Sequence, residues 1–512
     1  MLSGSANVRR FAVACATLAG AVMLVVASRQ APPFREVSDG AILEIYTLGA
    51  LKGKLLVGPY SRFGWHHPGP LFLYLEAPWY WLSGLHTAGM QAGAIAINVT
   101  AIAVLLWIVS RLASDAAIVA LSSAAAYYVV RTGDMIASVW NPHVIILPML
   151  AFVVVAAAIA TPGVATPYVG RVLSDPARGR STDPPCTWLI VSFVVLGSFL
   201  VQTHLAMAPL VAAVGVVAIV ASRRARQPWM TACVAAIVLW LPPIVEQLTH
   251  RPGNVAKIIR FFLGDPVAGG QSLAVAAAAW ASALVAPFRP EFAVALGFDL
   301  TPPGASVVVI PAVEVVALIV VAVIARPRDR FAAWLATMCA LATVVALAAT
   351  TRIRERIIDH EIFWMSGLGA LNVAAIVAGV AARFDLSRTW RPLARLATAI
   401  AFVLVVTVSV QAMRHVLART RGPEDHAVDV VVEAIQRELS RAGARRPLVE
   451  IDPPVWPIAA GALLEIDKQH VRFTVDDRWV TMFGDAFAPT GREDVRLKIA
   501  GSPRQPVVTA TR

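Results

Sequence analysis

Long apolar runs recur along this chain of 512 residues, and many approach the roughly 20 residues that a helix needs to cross a bilayer. The chain is 58% hydrophobic and 15% charged, whereas an ordinary soluble domain is about 25% charged. These features exclude an ordinary soluble protein and predict a mainly α fold, a polytopic transmembrane helical bundle. The candidate spans, about 11 in number, are residues 11–28, 91–110, 116–131, 142–160, 187–203, 205–221, 228–245, 305–325, 331–350, 361–382 and 396–413.

Arginines are concentrated in alternate loops between these spans. With a cytoplasmic N-terminus beside Arg9 and Arg10, the cytoplasmic loops carry these arginines, as the positive-inside rule requires. The pattern predicts an extracytoplasmic C-terminus in the plasma membrane of a bacterium, an origin indicated by 39 Arg against 5 Lys. It also requires the apolar runs 70–85 and 272–286 to stay on the outer face without crossing. The net charge of +12 follows from the loops and does not indicate a nucleic-acid partner.

The last hundred residues differ in kind from the rest. We predict a transmembrane domain at 1–413, with a first outer loop at 29–90, and a small extracytoplasmic α/β domain at 414–512. Apolar residues at helical spacing predict a helix over Glu424 to Gly443, and Asp452-Pro-Pro can open a second helix. Three short apolar runs are predicted to be strands: Leu448–Ile451, Val471–Val475 and Trp479–Phe483.

Under this topology, unusual polar residues collect on the outer side of the membrane, where polar groups held against a bilayer usually mark a site. Three arginines among them break the positive-inside rule, which suggests that they bind an anion such as phosphate. The candidates are Asp39, Glu44, Tyr60, Arg62, His66, His67, Asp134, Gln202, His204, Arg352, Arg354 and Arg356.

Each candidate also has a structural explanation. Asp39 after Ser38 can simply cap a helix, and Asp134 can be a solvated loop residue. The remaining explanations are hydrogen bonding at a helix start for His66 and His67, hydrogen bonding between helices for Gln202 and His204, and non-specific binding of lipid headgroups for Arg352, Arg354 and Arg356.

The first outer loop resembles that of the GT-C glycosyltransferase superfamily, and most closely the bacterial RgtA/B/C/D-like and dolichyl-phosphate-mannose mannosyltransferase-like enzymes. The match consists of Asp39, an amphipathic juxtamembrane segment at Ala41–Leu51, and the run His67-Pro68-Gly69-Pro70-Leu71. Asp134 occupies the place of a second acid before the fourth span. The sequence departs from the family where the usual Asp-Glu pair is Asp39-Gly40 and where His-Pro-Pro is His-Pro-Gly-Pro.

The resemblance implies transfer of a sugar from a polyprenyl-phosphate donor to an envelope glycan, lipid or protein acceptor, beside membrane lipids. Asp39 would be the general base, with Glu44 and Asp134 as further catalytic carboxylates. The outer arginines, Arg62 included, would stabilise the leaving phosphate. No cofactor is certain, but Asp39 with Asp134 would offer oxygen ligands for Mg²⁺ or Mn²⁺.

Two other classes of protein stay open. One is a transporter or lipid flippase, which tends to show inverted repeats and ionisable residues near the middle of several spans. The other is a non-catalytic assembly subunit that keeps the fold. The enzyme hypothesis requires Asp39, Asp134, His67 and one outer Arg to line a single cavity.

Overall fold

The computed structural model describes residues 34–161, 187–222, 226–263, 270–289, 305–383 and 387–511, together with Arg29 and Phe292. The expected first span at 11–28 and nearly all of the expected loop at 161–186 lie outside these residues.

The membrane part consists of helices whose positions follow the apolar runs closely. Eight of the described helices are long and apolar enough to cross a membrane, which supports the predicted multi-pass bundle. The helices are α1 (Ser38–Leu51), α2 (Leu71–Leu82), α3 (Thr87–Leu112), α4 (Asp115–Thr132), α5 (Asn141–Ala160), α6 (Thr187–Thr203), α7 (Leu205–Ala221), α8 (Arg226–Thr249), α9 (Asn254–Leu263), α10 (Leu273–Val285), α11 (Ala305–Ala325), α12 (Arg330–Thr350), α13 (Asp359–Arg383) and α14 (Ser387–Leu417).

Helix α5 forms the centre of the bundle. Every residue from Ile146 to Ala160 is buried, and the helix packs against α3, α6, α7, α12 and α13. Small residues bring the neighbouring backbones close, because a Cβ at Gly367 of α13 would lie only 2.6 Å from Ile146 Cγ2. A helix that is apolar on all sides and surrounded by other helices fixes the positions of their ends, including the ends that carry the polar residues.

Helix α1 exists where the sequence predicts a juxtamembrane helix, but it is not amphipathic. All residues from Ala41 to Leu48 are buried, because α1 lies between α2 and a helix of the C-terminal domain, α16 (Trp456–Lys468). The cap interpretation of Asp39 is also wrong. The N-cap position belongs to Val37, and no side chain caps this helix.

The C-terminal domain contains a four-stranded mixed sheet in the order β2-β1-β3-β4. Its elements are α15 (Pro423–Ala442), β1 (Pro447–Ile451), α16, β2 (Thr474–Val475), α17 (Asp477–Phe483), β3 (Val495–Ser502) and β4 (Gln505–Thr511). Strand β1 pairs in parallel with β2 and β3, and β3 pairs antiparallel with β4. Helix α15 ends at Gly443, whose φ of 62° is the left-handed conformation that glycine favours at a helix C-terminus.

The predicted strand at Trp479–Phe483 is wrong, because this segment belongs to helix α17. Asp476 caps the helix by accepting a hydrogen bond from the Arg478 N–H at 3.0 Å. Trp479 and Phe483 are buried four residues apart, which is helical spacing. Strands β3 and β4 were not predicted, although Val495, Leu497 and Ile499 alternate with exposed or half-buried residues as a half-buried strand requires.

Candidate active site

A cavity of about 640 Å³ lies between the ends of several membrane helices and the C-terminal domain. Its wall comes from the loop before α2, from α9, from the starts of α5, α7 and α13, and from the end of α12 with the segment that follows it. Aromatic side chains dominate the lining: Tyr60, Phe63, Trp65, Trp140, Phe261, Phe262, Trp364 and Trp456. A largely apolar cavity with a few polar groups is the usual form of a site for a small molecule or the head of a lipid.

Asp39 lines this cavity from the first turn of α1. The Tyr60 hydroxyl donates a hydrogen bond to Asp39 Oδ1 at 2.5 Å. Burial, with the Asp39 charge, raises the pKa of Tyr60, so the phenol stays neutral and keeps donating. In the described ranges no cation pairs with Asp39, and its hydrogen-bond partner there is the neutral phenol of Tyr60.

The loop that carries Tyr60 is fixed by a small hairpin and by Asn254. The Ser61 N–H donates to Trp65 O, and the His67 N–H donates to Pro59 O, both at 2.8 Å. The Asn254 side chain both accepts from the His66 N–H and donates to the His66 carbonyl, each at 2.8 Å. Asn254 begins α9, so the same residue ties the loop to the aromatic wall of the cavity.

Two buried imidazoles stack beside this hairpin. The ring centroids of His67 and His204 lie 4.9 Å apart. Burial, together with the neighbouring ring, holds the pKa of His67 well below its usual range, and burial lowers the pKa of His204 to about 3. The Leu205 N–H donates to His67 Nδ1 at 3.0 Å, so the proton of the neutral His67 ring lies on Nε2. His67 is therefore a neutral donor at the cavity wall.

The four candidate arginines differ in what they contact. Arg62 pairs with Glu361 at 3.0 Å and lies near Glu355 at 3.7 Å. Arg354 lies over the Phe261 ring at 4.6 Å. Arg352 is exposed, lines the cavity and forms no ion pair with the described residues. Of the three arginines after α12, Arg352 is thus the one that is both exposed and part of the cavity lining.

The structure brings together Asp39, Tyr60, Arg62, His67, His204, Arg352 and Arg354, which all line the one cavity. It leaves the other candidates elsewhere. Those outside the lining are Glu44, which pairs with Lys468; His66, which contacts the Tyr46 hydroxyl; Asp134, which pairs with His415; Gln202, which bonds Leu71 N and Leu239 O; and the exposed Arg356.

The two aspartates of the expected metal pair have different hydrogen-bond partners. Asp39 is bonded to a phenol in the cavity, whereas Asp134 pairs with His415 Nδ1 at 2.8 Å away from the cavity lining. Within the described residues, no group of three His, Cys, Asp or Glu side chains is placed to hold a metal ion. Asp39 and Asp134 thus have different partners, and binding of Mg²⁺ or Mn²⁺ by this pair stays a prediction.

Two titratable residues of the lining, His360 and Glu361, were not predicted from the sequence, and neither was the aromatic Trp456. His360 and Glu361 lie at the start of α13, and their position before an apolar span could have identified them. Nothing local in the sequence connects Trp456 with Asp39, because more than four hundred residues separate them.

No protein-family model matches this chain, and no curated protein matches it either. Among solved structures, it is similar to ArnT from Cupriavidus metallidurans, both bound to undecaprenyl phosphate and in the apo state. Each comparison gives a TM-score of 0.53 at 12% sequence identity and covers 98% of both chains. The likeness extends over the membrane helices and the C-terminal domain alike, and the chain therefore has the GT-C fold that its first outer loop predicts.

Proposed function

We propose that this protein is a membrane glycosyltransferase that moves a sugar from a polyprenyl-phosphate donor to an envelope glycan, lipid or protein acceptor. The observation that carries the proposal is the joint presence of Asp39 and Arg352 in one aromatic cavity. A carboxylate with a neutral partner is suited to accept a proton, and an unpaired guanidinium is suited to bind phosphate.

In the proposed reaction, Asp39 accepts the proton of an acceptor hydroxyl while that oxygen bonds to the anomeric carbon of the donor sugar. The bond from the anomeric carbon to the phosphate oxygen breaks, and its electron pair leaves with the polyprenyl phosphate. Arg352 and Arg354 stabilise the charge on this leaving group. His67 Nε2 and the hydroxyls of the loop supply neutral hydrogen bonds that orient the sugar.

The fold supports the choice of donor. One of the similar ArnT structures is bound to undecaprenyl phosphate, which is a polyprenyl phosphate. The lipid-facing helices beside the cavity expose large apolar side chains, such as Leu263 of α9 at 79% exposure, that a polyprenyl tail can contact. A non-catalytic subunit would keep the fold but would not depend on the carboxylate of Asp39.

The test is transfer of radiolabelled sugar from polyprenyl-phosphate donors in membranes that contain the protein. Asp39→Asn should lower turnover by about 10²-fold or more, the usual contribution of a general base. Asp134→Asn is the matched control, since Asp134 is an aspartate outside the cavity, and it should transfer as wild type does. Equal transfer by the wild type and Asp39→Asn would leave the non-catalytic subunit as the better explanation.

We further propose that the cavity opens on the outer face of the membrane, with the C-terminal domain extracytoplasmic. The repeated arginines of the alternate loops support this orientation. Alkaline phosphatase fused after the last residue should be active, and a fluorescent protein at the same place should be dark. An inactive phosphatase with a fluorescent partner fusion would reverse the topology.

A further inference from the structure

The C-terminal domain contributes Trp456 to the cavity wall. This residue begins α16, directly after the turn Pro453–Val455. The ring of Trp456 lies against that of Trp479, at 6.4 Å between centroids. Trp479 is itself fixed by a hydrogen bond from its indole nitrogen to Ile451 O at 2.9 Å. Trp456 is therefore supported from behind by the core of the domain, while it is itself only partly buried.

Close packing of α16 on α1 holds Trp456 on the side of the cavity that carries Asp39. A Cβ added at Gly461 of α16 would collide with the Glu36 carbonyl oxygen just before α1. Further along the same helix pair, Lys468 Nζ contacts Glu44 Oε1 at 2.6 Å. Contacts at Gly461 in the middle of α16 and at Lys468 at its end hold the helix against α1, so Trp456 and Asp39 keep a fixed relation.

We infer that Trp456 is the platform on which a pyranose ring of a glycan acceptor stacks. This inference rests on the proposed function, in which the acceptor hydroxyl must reach Asp39. The faces of a sugar ring carry C–H groups that pack well on the electron-rich face of an indole, and a ring held flat presents its hydroxyls edgewise. The phosphate end of the donor belongs to Arg352 and Arg354, which enter from the segment after α12.

Assignment of the acceptor to Trp456 makes the C-terminal domain the part of the protein that selects the acceptor. The membrane part then binds the donor, and α1 joins the two because it carries Asp39 and packs on α16. A stacking platform recognises ring shape and gives little discrimination between ring substituents. The subsite should therefore accept several pyranosides and should reject an open-chain polyol of similar polarity.

Saturation-transfer NMR on the purified full-length protein tests this, with methyl glucopyranoside and methyl galactopyranoside as probes and sorbitol as the open-chain control. We expect saturation of the ring C–H protons in the wild type, a loss of at least about tenfold in Trp456→Ala, and retention in Trp456→Phe. Trp81→Ala is the matched control, because Trp81 is 64% exposed and lies outside the cavity lining. Trp456→Leu keeps apolar volume without a ring face and should bind as poorly as the alanine variant.

Ring signals that are equal in the wild type, Trp456→Leu and Trp456→Ala would overturn the platform, as would no ring signal in the wild type or an equal signal from sorbitol. This binding measurement does not require turnover, and it should give the same result in Asp39→Asn. Failure of the proposed function is a different result, namely no Asp39-dependent transfer from any polyprenyl-phosphate donor. Where transfer is seen, Trp456→Leu should raise the acceptor KM about tenfold and leave the donor KM unchanged.

Discussion

Helix α1 carries two carboxylates five residues apart, and they lie in opposite surroundings. Asp39 faces the cavity and has a neutral phenol as its partner. Glu44 is fully buried on the domain side of the helix, where it contacts Lys468 at 2.6 Å and accepts hydrogen bonds from the Tyr80 and Thr87 hydroxyls. Glu44 is saturated by partners within the protein, whereas Asp39 faces the cavity with a neutral hydrogen-bond partner.

The charges around Glu44 form a network that joins α1 to the C-terminal domain. Lys468 also contacts Glu465, Glu465 contacts Arg35, and Arg35 continues to Asp429 at 2.9 Å. Buried ion pairs add little net stability, because desolvation offsets much of their attraction, but removal of one partner is costly. We interpret the network as a device that sets the relative position of the two domains.

The largest expected effect comes from Glu44→Gln. This change leaves the Lys468 ammonium, which is 19% exposed, with Glu465 as its remaining acidic partner. We expect a loss of folding free energy on the order of 3 kcal/mol, measured as a fall of several degrees in the apparent Tm of the purified protein. Transfer per folded molecule should change little. The double variant Glu44→Gln with Lys468→Met removes both charges and should recover most of the loss.

A catalytic defect without a stability defect in Glu44→Gln would change the comparison between Asp39 and Glu44. If Glu44→Gln melts at the wild-type temperature but transfers no sugar, the catalytic role implied by the family resemblance is right. The contrast between the two faces of α1 would then be wrong.

Arg352→Gln should have the next largest effect. Loss of a charge-assisted bond to phosphate costs about 1.5–3 kcal/mol, so we expect the donor KM to rise about 10- to 100-fold at unchanged acceptor KM. Arg352→Lys should recover only part of this, because Lys lacks the planar fork. Arg356→Gln is the matched control, since Arg356 is exposed and outside the lining. Equal donor titrations for the Arg352 and Arg356 variants would move the phosphate role to Arg354 or Arg62.

The difference between the two carboxylates could not have been predicted from sequence. Asp39 and Glu44 occupy one helix, and both were predicted to be catalytic. Their surroundings differ because their partners differ, and Lys468, the partner of Glu44, lies more than four hundred residues further along the chain. The features that were predicted are local. The run 331–350 is helix α12 within one residue, since bilayer thickness fixes the length of a span.

The same limit explains the errors in the C-terminal domain. A five-residue apolar run such as Trp479–Phe483 suits a strand or a helix turn equally well, and the Asp476 cap decides for the helix. Tyr60 and His67 were found because they stand in one short loop with unusual composition. Trp456 and His360 were missed because only the packing of distant helices brings them to that loop.

Tyr60→Phe tests the surroundings of Asp39, on the cavity side of α1, and should have a smaller effect than the Arg352 variant. The variant keeps the aromatic wall and removes the hydroxyl that orients Asp39. We expect kcat to fall about tenfold, the effect of one hydrogen bond to a charged group, with Tm near the wild-type value. Tyr74→Phe is the control, because its hydroxyl donates to Leu55 O and does not contact Asp39. Wild-type kcat in Tyr60→Phe would mean that the fold alone positions the carboxylate.

The smallest effect is expected at Glu36, which precedes α1. Its carboxyl lies near Glu44, and its backbone carbonyl lies against Gly461 of the C-terminal domain. Burial, the neighbouring Glu44 and Asp425 raise the pKa of this carboxyl to about 7, against the opposing charges of Arg419 and Lys468. A carboxyl whose pKa is higher in the folded state binds its proton preferentially there. Its contribution to stability is therefore full at low pH and is lost as pH rises through 7. Glu36→Gln cannot titrate, so the variant should melt about a degree or two above the wild type at pH 8 and together with it near pH 5.

The control for Glu36 is Glu438→Gln, which alters a carboxylate that pairs with Arg441 within α15 and should leave the slope of Tm against pH unchanged. If the slope of Tm against pH is the same in Glu36→Gln and in the wild type, Arg419, at 3.5 Å, keeps Glu36 ionised between pH 5 and pH 8. In that case Glu36 is paired as a charge, as are Glu44, Glu465 and Asp429 at the same junction. Asp39 would then stand apart even more clearly, as the carboxylate of α1 that no cation in the described ranges neutralises.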